Sequence, residues 1–509
     1  MDFVKTSTFM ARIWDEEIIP ALTGYIRIPN KSPAFDADWA KHGHMEKAVT
    51  MFADWARTKL QQFPGSSLEV VRLPNGDKAR TPLIFIEIPA EAGASAKAGA
   101  TIKESTVLMY GHLDKQPEML GWDEGKGPWQ PLIEDGKLYG RGGADDGYAL
   151  FASLAALLAL KEQGIAHARS VIIIEACEES GSPDLPFYIA HLAPRIGTPD
   201  LVVCLDSGCG NYEQLWLTTS LRGNLIGNLT VRVLTEGVHS GAASGIVPSS
   251  FRILRGLLSR IEDEATGRMK LPELFAEIPQ DRQKQAKEAA QILGDAVWSA
   301  LPFAGKTRPM VTQHRPGEQG EPSAVRPSEE MNSEVILEKT WRPQLAVTGM
   351  DGYPLPANAG NVLLPYSTAK LSLRLPPTLE AETARGALKA ALEKNPPYDA
   401  EVVFDVPRGD NGWNAPTLAP WLEASLSRAS LAAFGKPVAF QGEGGSIPFM
   451  AMLGRSFPKT QFVVTGVLGP QSNAHGPNEF LHIAFAKKLS ACIAQLLADH
   501  ASVVVSKSA

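Results

Sequence analysis

Runs of aliphatic and β-branched residues recur along the chain, each stopping at a polar or glycine-rich turn. Thr106-Val-Leu-Met-Tyr110 runs into Gly111-His112, Ser170-Val-Ile-Ile-Ile174 into Glu175, and Leu201-Val-Val-Cys-Leu205 into Asp206. Gln461-Phe-Val-Val-Thr465 runs into a glycine. Their apolar positions are continuous rather than alternating, which predicts strands covered on both faces of a largely parallel sheet. Residues 146–164, rich in alanine and leucine with Asp at the start and Gly just past the end, predict a helix. Residues 5–27 and 480–498 also predict helices. Strands alternating with helices argue for an α/β fold.

The middle of the chain differs. Asn228-Leu-Thr-Val-Arg-Val233, Ala369-Lys-Leu-Ser-Leu-Arg-Leu375 and Glu401-Val-Val-Phe-Asp405 alternate apolar and polar positions, separated by amphipathic stretches. Alternation predicts a half-exposed, antiparallel sheet. The expectation is an α+β domain over residues 222–408, inserted into an α/β domain made of residues 1–221 and 409–509. Residues 90–100 and 305–330 are expected to be surface loops.

Composition adds exclusions. With 44% hydrophobic and 21% charged residues the chain is of ordinary globular type, not disordered, collagen-like or coiled-coil. Its 49 basic and 56 acidic residues give a net charge of -7 and no basic run, so no nucleic-acid partner is expected. The longest nearly uninterrupted apolar stretch, residues 148–160, falls short of the roughly 20 residues of a membrane span, so no membrane partner is expected either. The N-terminal segment has acidic residues on both sides of its apolar positions and no apolar core of the signal-peptide kind. Cys177, Cys204, Cys209 and Cys492 form no CxxC pair and read as small buried hydrophobes. A reduced, cytoplasmic protein is the expectation.

Four polar signals sit at predicted strand ends: Gly111-His112-Leu113-Asp114, Gly140-Arg-Gly-Gly-Ala-Asp145-Asp146, Glu178-Glu179-Ser180-Gly181-Ser182 and Asp206. In a parallel α/β sheet, the crevice beyond the carboxyl ends of the strands is where ligands bind. A histidine and several carboxylates converging there suit a divalent metal, bound by imidazole and anionic oxygen without thiolate. The carboxylates outnumber the needs of one ion. That points to two metals sharing a carboxylate, about 3.5–4 Å apart. Taken singly each signal has a plainer meaning: a structural histidine, a helix cap, a solvated acidic pair. Only convergence in space separates the two.

Tyr110-Gly-His-Leu-Asp114, Tyr139-Gly-Arg-Gly-Gly-Ala-Asp-Asp146 and Glu178-Glu-Ser-Gly-Ser182 resemble motifs of a family of dinuclear zinc exopeptidases. So do Gly237-Val-His-Ser-Gly241, Leu371-Ser-Leu-Arg-Leu-Pro376, Gly444-Gly-Ser-Ile-Pro448 and His475-Gly-Pro-Asn-Glu479. The family groups aminoacylase, succinyl-diaminopimelate desuccinylase, glutamate carboxypeptidase and carnosine dipeptidase. The chain is most similar to its carnosine-type and cytosolic nonspecific dipeptidase branch. The resemblance implies an α/β, mostly parallel-sheet metallopeptidase catalytic domain with an inserted α+β lid that also forms a homodimer. It implies two divalent ions per subunit, zinc first, with manganese or cobalt as alternatives. His112, Asp145 and Asp206 would hold one; Asp145, Glu179 and His475 would hold the other. Glu178 would be the general base and Asp114 would fix the His112 tautomer. His239 would reach a neighbouring subunit's site. Arg374, Gly445 and Ser446 would bind the substrate carboxylate. The bond between Asp145 and Asp146 would be cis.

Three positions depart from the branch: Asn361 where it has threonine, Asp410-Asn411-Gly412-Trp413 where it has a histidine motif, and Lys115 where it has an aliphatic residue. All three are expected to touch the substrate pocket, Asn361 as a binding residue. They argue against carnosine itself as substrate. The implied activity is hydrolysis of dipeptides or short peptides with a free C-terminal carboxylate. A deacylase of N-acyl amino acids would use the same machinery. A non-catalytic binding protein of the same fold would have lost a ligand or the base, and none is missing.

Overall fold

The apolar runs are four strands of a six-stranded sheet, Gln461–Val464 at its edge and the other three inside it. Its order is Ser67–Val71, Leu83–Ile88, Arg169–Glu175, Thr106–His112, Leu201–Cys204 and Gln461–Val464. The last four are parallel to one another, and the first two add antiparallel at one edge. Every residue of Thr106–His112 is buried, which is why its sequence shows no alternation. This computed structural model describes residues 1–76, 78–93, 105–307, 309–310, 329–407 and 409–507. Most of the expected loops 90–100 and 305–330 lies outside the described residues.

The chain divides into two compact units. The first comprises Met1–Thr218, Ala415–Gln441 and Met452–Ala509; the second comprises Thr219–Asn414 and Gly442–Ala451. The second therefore takes a segment well beyond the insert expected from sequence. Arg222 helps to explain it: its Nε donates to the Gly444 carbonyl at 3.2 Å.

In the first unit, helix Ala149–Glu162 is buried at every position from Ala149 to Leu160, apolar on all sides. With the turn before it, Gly143–Glu162 spans 20 residues, long and apolar enough to cross a membrane by length and composition. That corrects the shorter apolar stretch read from sequence. The segment is buried in the protein's own core, which accounts for its composition. Gly111 lets strand and helix meet closely: a Cβ there would stand 2.4 Å from Ala149 Cβ and 2.6 Å from Asp146 Oδ2. The opening helix runs from Phe3 to Ile26 with one wide turn at Trp14–Ile18. Asp2 caps it, accepting the Val4 and Lys5 N–H groups. The closing segment is not helical from residue 480. Phe480–His482 is a strand paired with Lys137–Tyr139, its Phe480 ring against Tyr139, and the helix follows at Ile483–Lys507.

The second unit has an antiparallel sheet ordered Gln344–Asp351, Tyr366–Leu375, Gly223–Arg232 and Glu401–Asp405. Leu225, Leu229 and Val231 alternate inward from one strand, and Leu371 and Leu373 from its neighbour. They meet Ile253, Leu254 and Leu257 of helix Ser250–Ile261 and Leu388 of helix Ala381–Glu393.

Candidate metal centre

The carboxyl ends of the parallel strands deliver the charged residues. His112 is the last residue of Thr106–His112, and its ring is wholly buried. Glu178 and Glu179 form the helical turn after Arg169–Glu175, and Asp206 follows Leu201–Cys204. Asp145 lies in the turn before helix Ala149–Glu162, and its bond to Asp146 is cis. His475 lies in the loop between Gln461–Val464 and Phe480–His482.

These residues form two triads that share Asp145. His112 Nε2 stands 3.2 Å from Asp145 Oδ1 and 3.6 Å from Asp206 Oδ1. His475 Nε2 stands 3.0 Å from Asp145 Oδ2 and 3.3 Å from Glu179 Oε2. Each oxygen of Asp145 thus faces a different imidazole. Ligand atoms about 2.0–2.2 Å from a tetrahedral ion are themselves about 3.3–3.6 Å apart, so the spacing within each triad fits a bound ion.

The electrostatics ask for positive charge. Burial drives Glu178 and Asp146 well above the usual carboxylate range, and the Asp206 charge adds to both. Burial and the Asp145 charge push Glu179 up to about 8. Against burial, the Asp206 charge and hydrogen bonds to Asp114 and Asp145 hold His112 well above its ordinary value. Against burial again, Asp145 and Glu179 lift His475 to about 9. The protons these groups retain are those a divalent cation would displace.

Asp114 ties the two halves of the acidic cluster together. Its Oδ1 is 3.4 Å from His112 Nδ1, slightly farther than its own carbonyl at 3.2 Å. The same carboxylate accepts the backbone N–H groups of Glu178 and Glu179, each at 3.0 Å. One residue therefore holds both the first histidine, through its carbonyl and its carboxylate, and the turn carrying the glutamates. The sequence reading missed Gln116, whose Nε2 donates to Glu179 Oε2 at 2.5 Å. Its place two residues past Asp114 was the available signal. Glu178, by contrast, makes no side-chain hydrogen bond or ion pair with the described residues.

Lys115 corrects an expectation. It does not line an open pocket: it is wholly buried, and Nζ donates to the carbonyls of Tyr25 at 2.9 Å and Ile28 at 2.8 Å. Carbonyls at a helix C-terminus lack intrahelical donors, and a lysine ammonium satisfies them. The Tyr25 hydroxyl and the Asn30 amide donate in turn to the Leu113 carbonyl at 2.7 and 2.6 Å. The N-terminal segment is thus fastened to the turn after His112. Asn411 is also a capping residue, its Oδ1 accepting the Ala381 N–H at 2.7 Å at the start of helix Ala381–Glu393.

The remaining site candidates lie in the second unit. His239 is exposed on a two-stranded ribbon opposite Val362, and the Asn361 carbonyl beside it accepts the Ser240 N–H at 2.9 Å. Arg374 is half-buried, its side chain without a hydrogen bond or ion pair to the described residues, and burial holds it below its usual range. Burial, with the Arg374 charge nearby, brings Arg222 down to about 9. Arg222 was not singled out from sequence, although an arginine flanked by buried Leu221 and Gly223 was a signal. Through Gly444 it holds the turn that carries Gly445 and Ser446.

A profile of peptidase family M20/M25/M40 matches residues 108–499, more than half of the chain. The chain belongs to that family. Among curated M20/M25/M40-type relatives, a cysteinylglycine-S-conjugate dipeptidase of Corynebacterium striatum is 24% identical over 486 residues, 91% of this chain and 96% of that protein. A Cys-Gly metallodipeptidase of Schizosaccharomyces pombe is 24% identical over 407 residues, 78% of this chain and 80% of its own. Human carnosine dipeptidase 1 shares the fold, with a TM-score of 0.73 at 21% identity over 98% of this chain and all of that one. Both triads fall within the residues matched by the family profile.

Asp114 offers a direct test. In Asp114→Asn the amide can accept only one of the two glutamate N–H groups and turns a donor toward the other. Metal affinity, measured by competition with a chromogenic chelator, is expected to fall about 10–100-fold. Unchanged affinity would show that the turn is held without it.

Proposed function

We propose that the chain is a metal-dependent exopeptidase that hydrolyses the amide bond of dipeptides or short peptides with a free C-terminal carboxylate. The observation that carries this reading is the pair of triads sharing Asp145, with the Glu178 carboxylate, unpaired among the described residues, beside them. His112, Asp145 and Asp206 would hold one ion; Asp145, Glu179 and His475 would hold the other. Bound there, two divalent ions, zinc first and manganese or cobalt as alternatives, supply Lewis acidity and lower the pKa of the attacking water. Glu178 takes that water's proton and passes it to the leaving nitrogen as the C–N bond breaks. With no ion or hydrogen-bond partner among the described residues, its carboxylate is available for both transfers. Asp114 keeps His112 and the Glu178–Glu179 turn in register while the proton moves.

Arg374 takes the substrate carboxylate, a role suited to a half-buried guanidinium with no partner among the described residues, and the N–H groups of Gly445 and Ser446 complete that seat. His239 and Asn361 complete the substrate site of a neighbouring subunit in a homodimer, with His239 donating to the carbonyl oxygen as it gains charge. Four free, buried cysteines suit a reducing cytoplasmic setting. The nature of the relatives, a cysteinylglycine-S-conjugate dipeptidase and a Cys-Gly metallodipeptidase, supports the dipeptide class.

A panel of dipeptides and N-acyl amino acids, assayed before and after chelation, tests the reading. Chelation-sensitive hydrolysis of dipeptides is expected; faster turnover of N-acyl amino acids would make the chain a deacylase. Glu178→Gln should keep its metals and lose about 10²–10⁴-fold in kcat. Near-normal turnover with full metal content would place the base elsewhere. Arg374→Ala should cost more on free-acid substrates than on their amides, because only the former lose a charge-assisted pair. Equal losses in kcat/KM would make Arg374 structural.

A further inference from the structure

Two charged residues of the sequence motifs take no part in the reaction as described. Arg141 is 1% exposed and Glu479 is fully buried. Arg141 Nη1 donates to Glu479 Oε2 at 2.5 Å, and the other oxygen, Oε1, accepts the Gly142 N–H at 2.8 Å. Arg141 Nη2 donates to the Gly476 carbonyl at 2.7 Å, one residue past His475. The two segments are also joined along the backbone. Tyr139 and Phe480 are strand partners, and the Gly140 N–H continues their ladder to the Glu479 carbonyl at 2.9 Å. Gly142 presents its N–H from a left-handed turn (φ 83°), where a Cβ would lie 2.6 Å from Lys115 Cε.

Residues 140–146 and 475–479 are thus stitched together, and each segment carries one member of the second triad, Asp145 or His475. The loop around His475 is otherwise held by its own turns, Gly476 N–H to the Asn473 carbonyl at 2.9 Å and Phe480 N–H to the Ser472 carbonyl at 3.1 Å, and by Asn478 Oδ1, which accepts the Asp123 N–H at 2.9 Å. His475 has φ 67° and a side chain 56% exposed, and Gln471, Asn473 and Asn478 also have positive φ. Non-glycine residues adopt that conformation at a cost and need surrounding structure to hold them there. His112 needs no such brace, because its ring is wholly buried at the end of a strand covered along its whole length.

We propose that Arg141 and Glu479 are positioning residues for the second metal position alone: the pair sets where His475 stands relative to Asp145 and Glu179. The proposal rests on the two-metal reading above. Its test uses Arg141→Met, Glu479→Gln and the double variant, which removes both charges and so leaves no buried ion without its partner. The metal-free proteins are titrated with Zn²⁺ by calorimetry, and hydrogen exchange is followed over residues 471–480 and 106–112. The wild type is expected to take up two ions. Each variant should keep one at wild-type affinity, bind the other about 10–100-fold more weakly, and lose protection only over residues 471–480. Should a single variant fail to fold, the double variant decides. Two ions at unchanged affinity in the variants would overturn the proposal, and so would equal weakening of both, which a general structural brace would give. A wild-type chain that takes up one ion would overturn the two-metal reading and the proposal with it.

Discussion

One carboxylate, Asp145, faces two imidazoles, one on each oxygen, and the rest of the first unit is organised around that sharing. Asp206, Glu179, Glu178 and Asp146 crowd the same buried volume. Removing a single carboxylate from water costs roughly several kcal/mol, and like charges beside it add to the cost. Two histidines cannot balance so much negative charge. A concentration of acid of this kind makes physical sense as a seat for divalent cations, and the 3.0–3.6 Å between facing ligand atoms leaves room for one in each triad.

The fold meets the cost by drawing each residue from a different, rigid source. His112, the Glu178–Glu179 turn and Asp206 come from the ends of three adjacent parallel strands. Asp145 comes from the turn before helix Ala149–Glu162, buried from Ala149 to Leu160, and Gly111 allows that helix to lie close to the His112 strand. Asp114 and Gln116 then fix the glutamates, and the Lys115 ammonium fastens the N-terminal helix behind the same turn. His475 is the exception. It stands exposed on a loop, held by contacts that reach back to the Asp145 turn.

Much of this was legible in the sequence because it depends on local pattern. Continuous apolar runs marked the buried strands, alternation marked the second unit's half-exposed sheet, and polar motifs at strand ends marked the cluster. What escaped depends on contacts between residues distant in sequence. Lys115 looked like a pocket residue because its neighbours His112 and Asp114 are; its side chain instead turns to the carbonyls of residues 25–28, which no local pattern announces. Residues 480–482 read as the start of a helix because their apolarity continues into one, yet Phe480 and Leu481 are buried by pairing with residues 138–139. Gly442–Ala451 looked like part of the α/β domain until the Arg222 contact became visible.

The central claim is that Asp145 serves two ions at once. Crystals grown with zinc, with diffraction recorded on either side of the zinc absorption edge, test it most directly. The expected anomalous map has two peaks, both within bonding distance of Asp145, one also bonded to His112 and Asp206 and the other to Glu179 and His475. A single peak at full zinc loading, or two peaks with no ligand in common, would contradict it.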